Sequence, residues 1–156
     1  MRSSSESREF DLCAFSDALT DVIYRVEDFS RLKELGLERG RSIRLGAGQQ
    51  QRLLSALDSM KVVSVSAGGS PTNTLCGAAR LGCKSAFIGL LGDDEYSAQY
   101  LDALSSAGVT PFTAKRSGNT GVCYTFVDDK NERSFGIALG VAETLQSGDL
   151  DFDAIG

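Results

Sequence analysis

The sequence predicts an α/β fold on a parallel or mostly parallel sheet, with a small antiparallel hairpin late in the chain. Three observations carry this. Short β-branched or apolar runs alternate with segments of helical periodicity, the order that gives βαβ units. Turn signals close the helices where the periodicity ends. Two strand-like runs in the last third are joined by the polar Asp129-Lys130-Asn131, which reads as a hairpin. At 156 residues the chain is long enough for one domain with a core and too short for two ordinary ones.

Phe10 to Phe15 and Leu19 to Val26 read as the first two strands. Phe29, Leu32 and Leu35 recur at helical spacing, with Gly36 as the stop. Ile43 and Leu45 suggest a brief strand, and Leu53, Leu54 and Leu57 stripe a helix over Gln49 to Met60. Val62, Val63 and Val65 predict a strand up to Ser66. The next helix takes Ser70 as N-cap, Pro71 at its first position and Gly82 just past its end. Ser85 to Leu91 reads as a buried strand, and Asp94 to Ala107 as a helix closed by Gly108, with Tyr100, Leu101 and Leu104 inward. Gly121 to Asp128 and Glu132 to Ile137 form the hairpin, and Ala142 to Gln146 starts another helix. Residues 1–9 are Ser- and charge-rich and read as a flexible leader. Leu150, Phe152 and Ile155 have nothing downstream to pack on.

Composition removes whole classes of chemistry. There is no histidine, which excludes a Ser-His-Asp triad, a Cys-His pair and a His-ligated zinc site within the chain. A net charge of -5 argues against a nucleic-acid partner. No apolar run approaches about 18 residues and no signal peptide is visible, so no membrane partner is expected and the compartment reads as cytoplasmic. Cys13, Cys76, Cys83 and Cys123 are scattered in apolar contexts with no Cys-x-x-Cys pair, the pattern of buried reduced thiols and not of a metal site. Glycine is in excess: 17 in 156 residues, against about 7% in average proteins.

Two local features point to a binding site. Gly68 and Gly69 feed a helix start, where backbone can approach a ligand closely and free N–H groups face it, with Asn73 about one turn in. The competing reading is a tight turn that packs well. The spacing is neither a P-loop nor a Gly-x-Gly-x-x-Gly fingerprint. Asp17 and Asp21 bracket the end of the first strand, where carboxylates often face the ligand crevice of an open α/β sheet. A carboxylate there suits a vicinal diol; two solvated turn aspartates are the alternative.

The order of these features resembles the PfkB/ribokinase-like family of carbohydrate and nucleoside kinases, nearest to its adenosine-kinase-like members. Ala67-Gly68-Gly69-Ser70-Pro71-Thr72-Asn73 is similar to the family's Gly-Gly-x-x-x-Asn substrate loop, and Gly82 and Gly92 fall at the family's spacing after it. Phe87 to Glu95 resembles its strand–Gly-Asp-Asp segment. Thr120-Gly121-Val122-Cys123 and Glu132-Arg133-Ser134 resemble its lid hairpin, and Leu139-Gly140-Val141-Ala142 resembles the segment after that hairpin. Leu75 departs from the family's small residue, and Ser16-Asp17 from its Gly-Asn.

The resemblance implies the N-terminal part of a ribokinase-like α/β/α sandwich with a β-hairpin lid, residues 10–156 forming the substrate-binding, lid-bearing part. It implies that Asp21 binds substrate hydroxyls, with Gly68, Gly69 and Asn73 on the other wall and Phe135 and Ile137 facing the substrate from the lid. Asp17, Cys123 and Arg133 are further candidates, each with a plain alternative: a solvated turn, buried packing and an exposed hairpin charge. The family's catalytic Asp and Gly-Ala-Gly-Asp-type anion hole belong to a C-terminal half, and Ser147-Gly148-Asp149 does not match them. No catalytic residue and no metal ligand is therefore expected in this chain. ATP and Mg2+ are implied by the family alone, at a site outside it. The expected partner is a sugar or nucleoside, with a homodimer through the lid implied by relatives. A non-catalytic small-molecule-binding protein and a remnant that needs partner surface to fold stand as the other readings.

Overall fold

A computed structural model describes residues 9–150 apart from 28 and 59. Most of the expected leader, and Phe152 and Ile155, lie outside the described residues. In chain order the strands and helices are β1 (Leu12–Phe15), β2 (Leu19–Arg25), α1 (Ser30–Lys33), β3 (Ser42–Arg44), α2 (Ala47–Leu57), β4 (Val62–Gly68), α3 (Ser70–Arg80), β5 (Ser85–Leu91), α4 (Glu95–Ala107), β6 (Val109–Lys115), β7 (Gly121–Val127) and β8 (Arg133–Ala138). Two 3-10 turns come after β8, Gly140–Thr144 and Ser147–Asp149; the first stands where the sequence predicts a longer helix from Ala142.

The strands divide into two sheets, not one. The body sheet is three-stranded and parallel, in the order β1–β5–β6. The lid sheet is five-stranded and mixed, in the order β3–β8–β7–β2–β4. The expected hairpin is present as β7–β8, but β2 and β4 extend it into a full sheet: β2 lies parallel to β7 and antiparallel to β4. Local periodicity reports that a segment is extended and does not report its partners, so the second sheet is not visible in the pattern.

α3 and α4 cover one face of the body sheet. Leu75, Phe87, Leu91, Tyr100, Leu104 and Val109 form that core, with Ala18 at its edge. Leu75, the departure from the expected small residue, is fully buried there, and burying a side chain of that size stabilises by about 2 kcal/mol. The opposite face carries Cys13 and Phe15 on β1, Ile88 on β5 and Phe112 on β6, one row of the parallel register placing Phe15, Ile88 and Phe112 side by side. Phe15 is 62% exposed. Cys13 and Cys83 are exposed, Cys76 is half-buried and Cys123 alone of the four is buried. The expectation of four buried thiols is thus corrected: Cys13 alternates onto the uncovered face, and Cys83 sits in the turn after α3.

The lid sheet has its own core. Val22, Tyr24, Val122, Tyr124 and Phe126 pack on one face against Leu32, Leu37, Leu45, Leu53 and Leu57 from the segment that carries α1, β3 and α2. Tyr24 and Phe126 stack at 5.7 Å. β4 is an edge strand, and its Val62, Val63 and Val65 are exposed, although a β-branched run reads as interior. β6 is absent from the sequence expectation, because Pro111 inside Val109–Lys115 argues against a strand. The structure accommodates it at the sheet edge, where no further strand needs its missing N–H.

Helix ends follow local chemistry with one correction. The residue that caps α3 is Gly69, at φ 90 and ψ 137, so Ser70 and Pro71 already belong to the first turn. At the other end the Gly82 N–H bonds to Ala79 O and the Cys83 N–H to Ala78 O, the paired closure that a glycine at positive φ permits. Asp94 caps α4 by accepting from the Ser97 N–H at 3.0 Å, and Gly108 ends it in the left-handed conformation.

Candidate functional site

β2 lies in the lid sheet between β7 and β4 and carries Asp21. Strand alternation puts Thr20, Val22 and Tyr24 on the packed face of the lid sheet and Leu19, Asp21 and Ile23 on the other. The register then assembles one complete row across the sheet: Arg44, Ile137, Cys123, Asp21 and Ser66. The adjacent row is Ser42, Phe135, Thr125, Ile23 and Ser64. Of the residues named from sequence, Asp21, Cys123, Phe135 and Ile137 therefore share one face.

Gly68 closes this face at the β4–α3 corner. A Cβ on Gly68 would lie within 2.7 Å of every heavy atom of the Asp21 carboxyl group, so the absent side chain makes room for that carboxylate. The Gly68 carbonyl accepts from the Tyr100 hydroxyl at 3.4 Å, and Tyr100 is paired with Thr72 at 2.5 Å. A buried phenol on α4 thus holds the corner from beneath. Burial pushes the Tyr100 hydroxyl up to about 12, so it remains a neutral donor. Gly69 is half-buried, and the position of a Cβ on it lies 3.8 Å from the Asp17 carbonyl. Asn73 sits in the first turn of α3, its N–H bonded to Gly69 O, and is exposed.

The electrostatics single out Asp21. Partial burial raises its pKa above the ordinary carboxylate value, while a hydrogen bond from the Cys123 thiol pulls it back down. Burial pushes that thiol up to about 11, with Thr125 pulling the other way. The thiol is a weak donor. Asp21 is thereby a carboxylate that gains by accepting stronger hydrogen bonds, such as those from hydroxyl groups.

The remaining candidates are less central. Asp17 is exposed in the β1–β2 connection. Arg133 shares the parity of Phe135 and Ile137 but stands four residues from the Asp21 row, about 13 Å along the strand, and is exposed. Sequence reading missed Ser64 and Ser66, although their alternation with Val63 and Val65 gives them one face. It also missed Arg44, which stands at the end of the Asp21 row and pairs with Glu143 at 4.0 Å. Asp149 forms a two-pronged ion pair with Arg116 at 2.7 and 2.8 Å and so has a structural partner.

The Gly92-Asp93-Asp94 segment is occupied by the chain itself. Asp94 accepts from Ser97 N–H, from the Thr120 hydroxyl at 2.6 Å and from the Thr120 N–H at 2.9 Å. Asp93 accepts from Gly118 N–H, which lowers its pKa. A Cβ on Gly92 would lie within 2.7 Å of backbone atoms of Gly118, Asn119 and Thr120. These residues pin the β6–β7 crossing and have little capacity left for a ligand. Among the described residues no group of three or more His, Cys, Asp or Glu could hold a metal ion. Among them, too, no helix is long and apolar enough to cross a membrane.

Residues 11–155 match the model of the pfkB family carbohydrate kinase. An uncharacterized sugar kinase of Archaeoglobus fulgidus is 34% identical over 79 residues, covering 50% of this chain and 32% of that protein. Fructokinase of Escherichia coli is 39% identical over 70 residues, 44% of this chain and 23% of that one. The crystal structure of adenosine kinase from Sinorhizobium meliloti superposes with a TM-score of 0.81 at 29% identity, over 94% of this chain and 44% of that chain. The chain thus spans less than half the length of these relatives.

Proposed function

The chain belongs to the pfkB family of carbohydrate kinases, and from that premise we propose that it binds the hydroxyl-bearing substrate of a sugar or nucleoside kinase, for ATP-dependent phosphoryl transfer to a substrate hydroxyl. The observation that carries the reading is the Asp21 carboxylate, half-buried beside Gly68 on a face otherwise lined by Ile23, Cys123, Thr125, Phe135 and Ile137. A polar acceptor in an apolar wall is what a sugar ring needs: its hydroxyl edge meets the carboxylate and its C–H surface meets Phe135 and Ile137. Asn73 supplies an amide from the first turn of α3, and the Gly68–Gly69 backbone forms the second wall. Asp17 contributes its backbone beside Gly69.

Phosphoryl transfer requires a base, a metal and anion stabilisation. We assign these to residues outside this chain, as the family resemblance implies. When bound, ATP would supply the phosphoryl group and Mg2+ would balance its charge. The relatives include a fructokinase and an adenosine kinase, so both substrate types belong in the test. In calorimetric titrations of the folded chain, adenosine or fructose binds saturably, and Asp21→Asn and Asn73→Ala each weaken that binding. A folded chain that binds neither ligand overturns the reading.

A further inference from the structure

The cross-strand row that carries Asp21 ends in a cation. It runs Ser66, Asp21, Cys123, Ile137 and Arg44. Ile43 and Leu45 pack into the lid core, so alternation sends Arg44 to the opposite face, the one on which Asp21 stands. Three strand spacings separate the two residues, about 14 Å of sheet. Between them lie Ile137 and, one row on, Phe135, both half-buried. An acceptor and a donor thus stand at the two ends of an apolar floor longer than one sugar ring.

Arg44 leans toward this crevice with its donors available. Among the described residues it pairs with Glu143 at 4.0 Å, beyond hydrogen-bond distance. Glu143 belongs to the 3-10 turn Gly140–Thr144 that follows β8. That turn is tied to the β6–β7 crossing and to the end of β6: the Val141 N–H bonds to Asn119 O, and Arg116 donates to Thr144 O at 2.6 Å. The guanidinium therefore reaches from the outer strand of the lid toward the body, and not out to the hairpin tip. Glu143 offsets part of its positive charge without occupying its N–H groups.

We propose that Arg44 is a specificity-determining residue that reads an acceptor edge on a flat ring of the substrate, an inference that rests on the assignment of this face to the substrate. A guanidinium has five donors and no acceptor, in a planar fork that matches two adjacent acceptors. With Glu143 beside it, it is better matched to a neutral acceptor pair than to a phosphate. A purine with a carbonyl at C6 offers that pair as O6 and N7, whereas a 6-aminopurine places a donor beside N7. The ring lies on Ile137 and Phe135 while the ribose hydroxyls meet Asp21. On this geometry the preferred substrate is a 6-oxopurine nucleoside, ahead of adenosine and of a free sugar.

Calorimetric titration of the whole chain with inosine, adenosine and fructose tests this, with fructose 6-phosphate as the anionic control. Inosine should bind about tenfold more tightly than adenosine. Arg44→Gln, at an exposed position, should abolish that preference, because glutamine offers an acceptor as well as a donor. Asp21→Asn should weaken both nucleosides and leave their ratio unchanged. No preference for inosine, the same preference in Arg44→Gln, or tighter binding of either fructose compound overturns the proposal. In each of those cases the assignment of the face to a substrate stands if Asp21→Asn weakens the ligand that binds. Binding of none of the four overturns both.

Discussion

Two corners of the molecule are built from the same materials, a glycine at a strand end and an aspartate beside it, and they differ in what is left over. At Gly92 the neighbouring Asp94 accepts three hydrogen bonds from Ser97 and Thr120, and the glycine admits backbone. At Gly68 the glycine admits the Asp21 side chain itself, and burial raises that carboxyl's pKa while a thiol partly compensates. The first corner uses its carboxylate to hold the β6–β7 crossing in place. The second holds a carboxylate in readiness, at some cost to folding. A saturated aspartate belongs to the scaffold, and one with capacity to spare belongs to a site.

Substitutions can break this contrast in graded ways. Gly92→Ala should be the most damaging, because its Cβ would meet the backbone of Gly118, Asn119 and Thr120, which cannot rotate away. A loss of about 3 kcal/mol or more is expected from the urea midpoint. Asp94→Ala removes the α4 cap and both Thr120 bonds, for about 2–3 kcal/mol. Gly68→Ala meets the movable end of a side chain, so about 1–2 kcal/mol is expected. Its larger effect should fall on ligand titration, which should weaken by about a hundredfold as the carboxylate is displaced.

The smallest effect is the most diagnostic. A carboxyl whose folded pKa is raised binds more protons in the folded state, so its ionisation lowers stability as pH rises from the unfolded value of 3.8 through the folded one. Asp21→Asn should therefore be slightly more stable than the parent at pH 7, by under about 1 kcal/mol given its half exposure. The advantage should vanish below pH 3.8. Thermal midpoints of both proteins from acid to neutral pH check the sign; a variant less stable at pH 7 would place Asp21 with the scaffold residues.

Much of the fold was legible because its elements end on strong local signals. Gly82, Asp94 and Gly108 stop or start helices where the sequence indicates. The existence of a second sheet was not legible, because the parallel pairing of β2 with β7 joins distant parts of the chain and leaves no local trace. β6 was hidden by Pro111. The Asp21 face was legible in part through the alternation of Phe135 and Ile137 on β8, and Ser64 and Ser66 carried the same signal on β4. Arg44 carried none: its place in the Asp21 row comes from the β3–β8 pairing alone. Nor did Leu75 announce its packing against Phe87 and Tyr100, since a small residue was expected there.

The most direct test of the central claim is whether Asp21 reads a ligand hydroxyl. Parent and Asp21→Asn chains would each be titrated calorimetrically with adenosine and with its 2′-deoxy and 3′-deoxy analogues. The parent should lose about tenfold or more on removal of the hydroxyl that Asp21 accepts, whereas Asp21→Asn should bind all three with similarly weak affinity. If both proteins lose affinity equally across the analogues, or if neither discriminates, the carboxylate at this corner does not recognise a ribose hydroxyl.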